Sequence, residues 1–320
     1  MNLHESTDSR DTQPRIKAVG IGATGARVVD GLIERGMEDI DFTTVATDAQ
    51  PLGKSRAATH IQIGEQLTKQ FAASGYALPS RMTDETHPPV LQRALAGAEL
   101  VFIIAGMGDA AVTGTVLVVA SIARTLNALS VGVVTTPSTF AGMRRRKAAE
   151  QGIAHLQPVV DALIVIPEDR LLQIAPVPIS RLDASRIAGM VMGQGIQALC
   201  ELVTRPGLIN LELDDLKVHL TDSGPALLAL GHGLGDDATV TAAHMALSVP
   251  LTDLPLGSAN SVLFNICGGE DLGLQEIYEA ADTIVQATKP DAVITFGVTI
   301  EPSLREARQI VLLATGFGTG

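Results

Sequence analysis

The sequence predicts an α/β protein of two lobes: a Rossmann-like, mostly parallel sheet, then a second α/β unit, with one long helix between them. Three observations carry this. Short apolar runs of strand length alternate with helix-length spacers through the first half of the chain, the pattern of βαβ units. The first run ends in Gly20-Ile21-Gly22-Ala23-Thr24-Gly25, a glycine turn that opens a helix. A helical pattern from about Asp183 to Val203 separates this half from a second set of strand-like runs.

In chain order, the first 14 residues are polar and mixed in charge and read as a disordered arm. Strand runs follow at Ile16–Val19, Phe42–Ala46, Leu100–Ala105, Ser130–Thr135 and Ala162–Ile166, each bounded by Gly, Pro, Asp or Thr. In a doubly wound sheet, ligands sit beyond the C-terminal ends of such strands. The proline-punctuated stretch 175–179 closes this unit. The long helix places Ile187, Val191, Ala198 and Leu202 on one stripe, with Met190 and Leu199 beside it, and Arg205-Pro206-Gly207 ends it. Beyond lie strand runs at Ala226–Leu230, Ser261–Ile266, Ala292–Ile300 and Gln309–Ala314, and helices over Thr239–Leu247 and Leu274–Ala287. The expected divisions are 1–14, 15–178, 179–206 and 207–320.

Composition narrows the function. The chain has 320 residues, a formal charge of −12, 31 glycines and nine aromatics. An acidic balance argues against nucleic acid and anionic membranes as partners. Cys200 and Cys267, both in apolar segments, fit buried thiols in a reducing compartment. No apolar h-region marks the N-terminus, and the apolar runs Leu100–Gly106 and Val116–Ala123 are too short to span a bilayer. A cytoplasmic protein is expected. The histidines are scattered without metal-ligand spacing, so no metal is assigned.

Taken alone, the loop Gly20–Gly25 has two readings. It suits the phosphates of a dinucleotide, with Asp48 as the acid for the ribose, or it is a tight βα turn with no ligand.

The segments downstream are more specific. VATDAQ at 45–50, AGMG at 105–108, VGVVTTPSTFAG at 131–142, IVIPEDRLLQI at 164–174, RPGLINLELDDLK at 205–217 and LLATGF at 312–317 together resemble the bacterial tubulin FtsZ family. The resemblance is collinear from about Ile16 to Phe317. It implies a tubulin/FtsZ-like fold: a Rossmann-like nucleotide-binding domain, a long central helix and a second α/β domain. It also implies a GTP or GDP site, carried by Gly20, Gly22, Gly25 and Arg27 on the first loop, by Gly106, Gly108, Thr113 and Gly114 on a signature loop, and by Arg145.

The departures from the family pattern fall on that site. The signature GGGTGTG, whose backbone N–H groups would face phosphate, stands here as Gly108-Asp109-Ala110-Ala111-Val112-Thr113-Gly114. Asp109 sets a carboxylate against phosphate, and Val112 resists any φ > 0 geometry. Arg27 replaces the family's asparagine, Ala46 stands before ThrAsp in place of asparagine, and residues 72–77 replace the GAGANP loop. Ala141, Ser185 and Gly189 correspond to the ribose-holding glutamate, the base-stacking phenylalanine and the guanine-reading aspartate. Losing that last acceptor removes discrimination between bases.

The loop after the long helix keeps its pattern. Asn210, Glu212 and Asp215 match NLxxxD with one conservative change, and the resemblance implies that they act as catalytic residues on the nucleotide of a neighbouring subunit. A plainer reading makes Asn210 the cap of the next helix, with Asp214 and Asp215 as its acidic first turn. Arg144-Arg145-Arg146-Lys147 opens a helical segment, where positive charge opposes the dipole. It reads as a binding site for phosphate or a neighbour's carboxylate, or as a solvated cluster.

Two functions follow. One is an FtsZ-like filament subunit with an impaired GTP pocket, a pseudo-GTPase. The other is an active, GTP-hydrolysing FtsZ-type cell-division protein in which Arg27, Thr113 and Arg145 replace the lost contacts. Expected partners are further copies of the chain, head to tail, or a conventional FtsZ. Because the sequence stops at Gly320, soon after the last family strand, no direct membrane anchor is expected.

Overall fold

The computed structural model describes residues 14–64, 89–170, 181–248, 252 and 254–317. All but the last residue of the expected arm, and the 72–77 stretch, lie outside these. In chain order the main elements are β1 (Ile16–Ile21), α1 (Gly22–Glu34), β2 (Ile40–Ala46), α2 (Ala49–Leu52), β3 (Thr59–Gln62), α3 (Pro89–Leu95), β4 (Leu100–Gly106), α4 (Ala110–Thr125), β5 (Leu129–Thr136), α5 (Met143–Leu156), β6 (Ala162–Pro167), α6 (Arg181–Thr204), α7 (Leu213–Leu220), β7 (Gly224–Leu234), α8 (Ala238–Ser248), β8 (Ser261–Gly268), α9 (Leu274–Gln286), β9 (Val293–Ile300) and β10 (Ala307–Thr315).

Among the described residues ten strands join in the order β3-β2-β1-β4-β5-β6-β7-β10-β8-β9. The first lobe's six are all parallel, as βαβ alternation requires. The order reverses between β1 and β4, which is the switch point of a doubly wound sheet. At β6 and β7 only the pairs from Ala162–Gly224 to Ile164–Ala226 continue the ladder. The second lobe begins there, with β10 antiparallel between β7 and β8 and β9 parallel to β8. The edge strand β3 is not announced by the sequence, because Thr59-His60-Ile61-Gln62 buries only Ile61.

The pleat explains why the strands read as unbroken apolar runs. In β4, Leu100, Phe102 and Ile104 enter the core shared with α1 and α6, while Val101, Ile103 and Ala105 enter the core beneath α4. A parallel sheet covered on both faces needs apolar side chains at every position. α4 is buried from Thr113 to Ala123, so its pattern is apolar all round rather than striped.

α6 corrects one expectation. The buried seam is Ala188, Met192, Ile196, Leu199, Cys200 and Leu202, whereas Ile187, Val191 and Ala198 are half-buried and Met190 is exposed. The helix is clasped from two sides, by α1 at Gly189 and Gly193 and by Leu228 of β7 at Gly195, so a one-sided stripe does not describe it. Its stretch Arg186–Thr204 is apolar and long enough to cross a membrane by composition alone, but here its apolar side chains form the joint between lobes.

α6 also fixes what lies where. It runs alongside α1 in the same direction, meeting Val28 at Gly189 and Leu32 and Arg35 at Gly193. At 1.5 Å per residue, α1 descends about 20 Å from Gly22 to Arg35, and α6 about 16 Å further from Gly193 to Thr204. The loop after α6 therefore lies roughly 35 Å from the start of α1, at the opposite end of the molecule.

Candidate functional site

A cleft of about 390 Å³ opens beyond the C-terminal ends of β1, β2 and β4, where the strand order reverses. It is lined by Gly22, Ala23 and Thr24 from the start of α1, Ala46, Thr47 and Asp48 after β2, Pro51 of α2, Gly106 after β4, Asp109, Ala111, Val112 and Thr115 at the start of α4, and Arg145 of α5. Two helix N-termini therefore face one hollow, a favourable setting for an anion.

The two termini differ. α1 begins with no side-chain cap and no acid in its first turn, leaving its first N–H groups open. α4 is capped by the chain itself. The Asp109 carboxylate accepts from the backbone N–H of Ala111 at 2.8 Å and from that of Val112 at 3.4 Å. The expected phosphate loop over 108–114 is thus a cap and the first turns of a helix. This corrects the concern about Val112, which is helical, so no φ > 0 geometry is asked of it.

The predicted residues divide accordingly. Gly22, at φ +65°, Gly106 and Arg145 line the cleft. Gly20 and Gly25 lie beneath it: a Cβ on Gly20 would sit 2.5 Å from the Gly25 carbonyl oxygen, and one on Gly25 would sit 2.4 Å from that of Ile104. Their absent side chains let α1 start hard against the sheet. Gly108, at φ +111°, turns the chain beside Arg145 and Pro137. Thr113 and Gly114 are buried inside α4, and the Thr113 hydroxyl donates to the Asp109 carbonyl at 3.0 Å. Arg27 lines an adjoining hollow with Asp30, Gln50 and Lys54. Thr24, Thr47 and Thr115 line the cleft without having been singled out; the signal for Thr24 and Thr47 was their place just after strands β1 and β2.

At the far end, Pro206 and Gly207 break α6, and the loop is pinned to β9 by Leu208 N–H to Val298 O at 2.7 Å and Val298 N–H to Ile209 O at 3.0 Å. Asn210 does not cap the next helix; its Oδ1 accepts from the Gly207 N–H at 2.6 Å and shapes the turn. The cap of α7 is Glu212, in a reciprocal box with Asp215, whose carboxylate accepts from the Glu212 N–H at 2.8 Å. Each acid fixes the other's position. Asp214 is exposed and pairs with Lys217 at 2.7 Å.

Below this loop, His219 is buried between two hydroxyls, with Nδ1 2.5 Å from Ser261 Oγ and Nε2 2.8 Å from Thr295 Oγ1. Burial holds its pKa below the ordinary 6.5, against the opposing pull of Asp215. Cys267 lies within β8 rather than after it. Burial pushes its thiol up to about 11 and that of Cys200 higher still, so neither is a ready thiolate. Among the described residues no three His, Cys, Asp or Glu side chains gather as metal ligands.

A doubly wound α/β lobe with its cleft at the switch point, carrying a second sheet lobe on a long helix, is the architecture these features define. Family models for the tubulin/FtsZ family GTPase domain and the FtsZ family C-terminal domain match residues 15–176 and 224–318. The empty FtsZ dimer of M. jannaschii is similar at 30% identity and a TM-score of 0.83, over 96% of this chain and 89% of that one. A point mutant of M. jannaschii FtsZ gives 31% and 0.84, over 96% and 92%. CetZ2 from Haloferax volcanii, solved as a GTPγS-bound protofilament, shares the fold at 14% identity and a TM-score of 0.75, over 96% and 94%. The chain belongs to the tubulin/FtsZ family, whose GTPase domain implies a GTP or GDP site.

Proposed function

We propose that this chain is an FtsZ-like cytoskeletal subunit, acting in the cytoplasm, that associates head to tail and whose GTP pocket is impaired at its phosphate seat. The observation that carries the reading is the Asp109 carboxylate on the first N–H groups of α4. An arriving phosphate meets a like charge there, a repulsion of about 4 kcal/mol at 4 Å with an effective dielectric of 20, and it finds the donors already in use. Gly189 offers the base no side-chain acceptor.

Head-to-tail assembly rests on placement. The cleft and the Asn210–Asp215 loop lie at opposite ends of the chain, so they meet only between copies. A contact of unlike surfaces that does not close builds an open filament. The dimer and the protofilament described for the related structures support the same reading.

The active-GTPase alternative draws on two observations, the open start of α1 and Arg145 on the cleft wall. Thr113 is not available to it, being buried with its hydroxyl committed. In that reading Asn210, Glu212 and Asp215 act on the neighbour's nucleotide, through the carboxylate oxygens that the capping box leaves free.

Chromatography of nucleotide released from the purified, denatured protein separates the two. The pseudo-GTPase reading expects no stoichiometric guanine nucleotide, and a stoichiometric GDP or GTP peak overturns it. Altered turnover by a conventional FtsZ on mixing would identify the partner as that protein rather than a second copy.

A further inference from the structure

The run Arg144-Arg145-Arg146-Lys147 opens α5, whose first turn has no side-chain cap and no acid; the helix's one carboxylate, Glu150, lies a turn further on. None of the four has a side-chain hydrogen bond or ion pair among the described residues. Four cations at a helix N-terminus oppose its dipole and repel one another. In a chain of net charge −12, such a concentration is an unmet demand for anions from outside the subunit. Phe140 and Met143, beside the run, are 72% and 80% exposed.

The opposite end of the molecule is its complement. Ile209 is bridged to Val298, and the strand register carries that level across to Ile266, Ile310 and Gly231. Just past it the ends of β7, β8 and β9 and the start of β10 come together, with Asp236, Glu270 and Glu306 in the adjoining turns. Asp271 is taken by Arg308 and Glu301 by Arg205, but Asp236, Glu270 and Glu306 have no side-chain partner among the described residues. Leu208 and Leu234, 67% and 78% exposed, supply an apolar counterpart to Phe140 and Met143.

We infer that the Arg144–Lys147 run of one copy docks on the carboxylates around Asp236 and Glu270 of the next, and that this charge seam holds successive subunits together without nucleotide. The inference rests on the head-to-tail reading and adds the force that drives it. A carboxylate from the next copy caps the open start of α5, satisfying its N–H groups and its charge together. Apolar burial by the flanking residues then fixes the seam.

The test is a charge exchange on the full chain, treated to remove nucleotide and followed by sedimentation and negative-stain microscopy. One variant carries Arg144→Glu, Arg146→Glu and Lys147→Glu, which reverse the sign of the run, spare Arg145 on the cleft wall and add acids that suit a helix start. The other carries Asp236→Lys and Glu270→Lys. Each alone is expected to stay in the supernatant, with the circular dichroism of the parent. An equimolar mixture is expected to assemble, because every junction then pairs opposite charges.

Parent assembly is expected to weaken at least about tenfold in critical concentration as salt rises from about 0.05 M to about 0.5 M, as the Debye length contracts. Parent filaments indifferent to salt, either variant pelleting like the parent, or a folded pair that fails to co-assemble, each overturn the seam. Those outcomes leave head-to-tail association standing; that reading falls only if the parent forms no filament at any salt, with or without GTP.

Discussion

Asp109 shows how one side chain can redirect a turn that resembles a phosphate loop. Its carboxylate takes the place of an external anion at the start of α4, and the helix is whole without one. Asp109→Ala removes both the cap and the repulsion. It is expected to lower stability by about 1 kcal/mol in a urea melt, while raising GTP affinity by at least about tenfold, or about 1.4 kcal/mol, by titration calorimetry. Unchanged affinity would mean that the pocket is closed for another reason. The sequence showed Asp109 as a charge in the wrong place; that it caps the helix is a matter of χ angles, on which composition is silent. In the same way, Gly20 and Gly25 were legible as necessary glycines but not as packing glycines, because a motif does not say which side of the turn is crowded.

At the scale of elements, periodicity located nine of the ten strands described, since a sheet buried on both faces leaves long apolar runs, but it placed no helix over α2, α3 or α4, the last apolar all round and therefore without a stripe. It failed for β3, too polar and short, and for α6, clasped on two faces. It also misplaced the cap of α7, because Asn210 is a favoured cap residue and Glu212 is not, while the fold of the 207–210 turn commits Asn210 to the Gly207 N–H. α7 carries a testable device in His219, which bridges β8 and β9 through two hydroxyls. Its pKa is lowered by burial, so the unfolded chain binds the extra proton first. Stability is therefore full above about pH 6.5 and falls as pH drops below that value. His219→Gln retains a donor and an acceptor but does not titrate. Urea melts at about pH 7.5 and about pH 5.5 should show a smaller loss for the variant than for the parent. Some slope persists through His232, which burial also lowers; equal slopes in both proteins would remove His219 as its source.

At the scale of the molecule, the central helix is a ruler with different chemistry at each end. A cleft with a cationic rim stands at its start, and a rigid loop beside unpaired carboxylates stands at its finish. The family was readable from collinear motifs, because those segments hold the sheet ends and the α6 joint in place. The polarity of the whole was not, because Asp236, Glu270 and Glu306 become neighbours only when strands distant in sequence end at one level.

Sedimentation and negative-stain microscopy of protein stripped of nucleotide, at low salt and without added GTP, bear on this account most directly. The expected result is single-stranded filaments with an axial repeat no shorter than about 36 Å, the length of the 24-residue α6, unchanged in amount when GTP is added. Filaments that form only with GTP and dissolve as it is hydrolysed would contradict it.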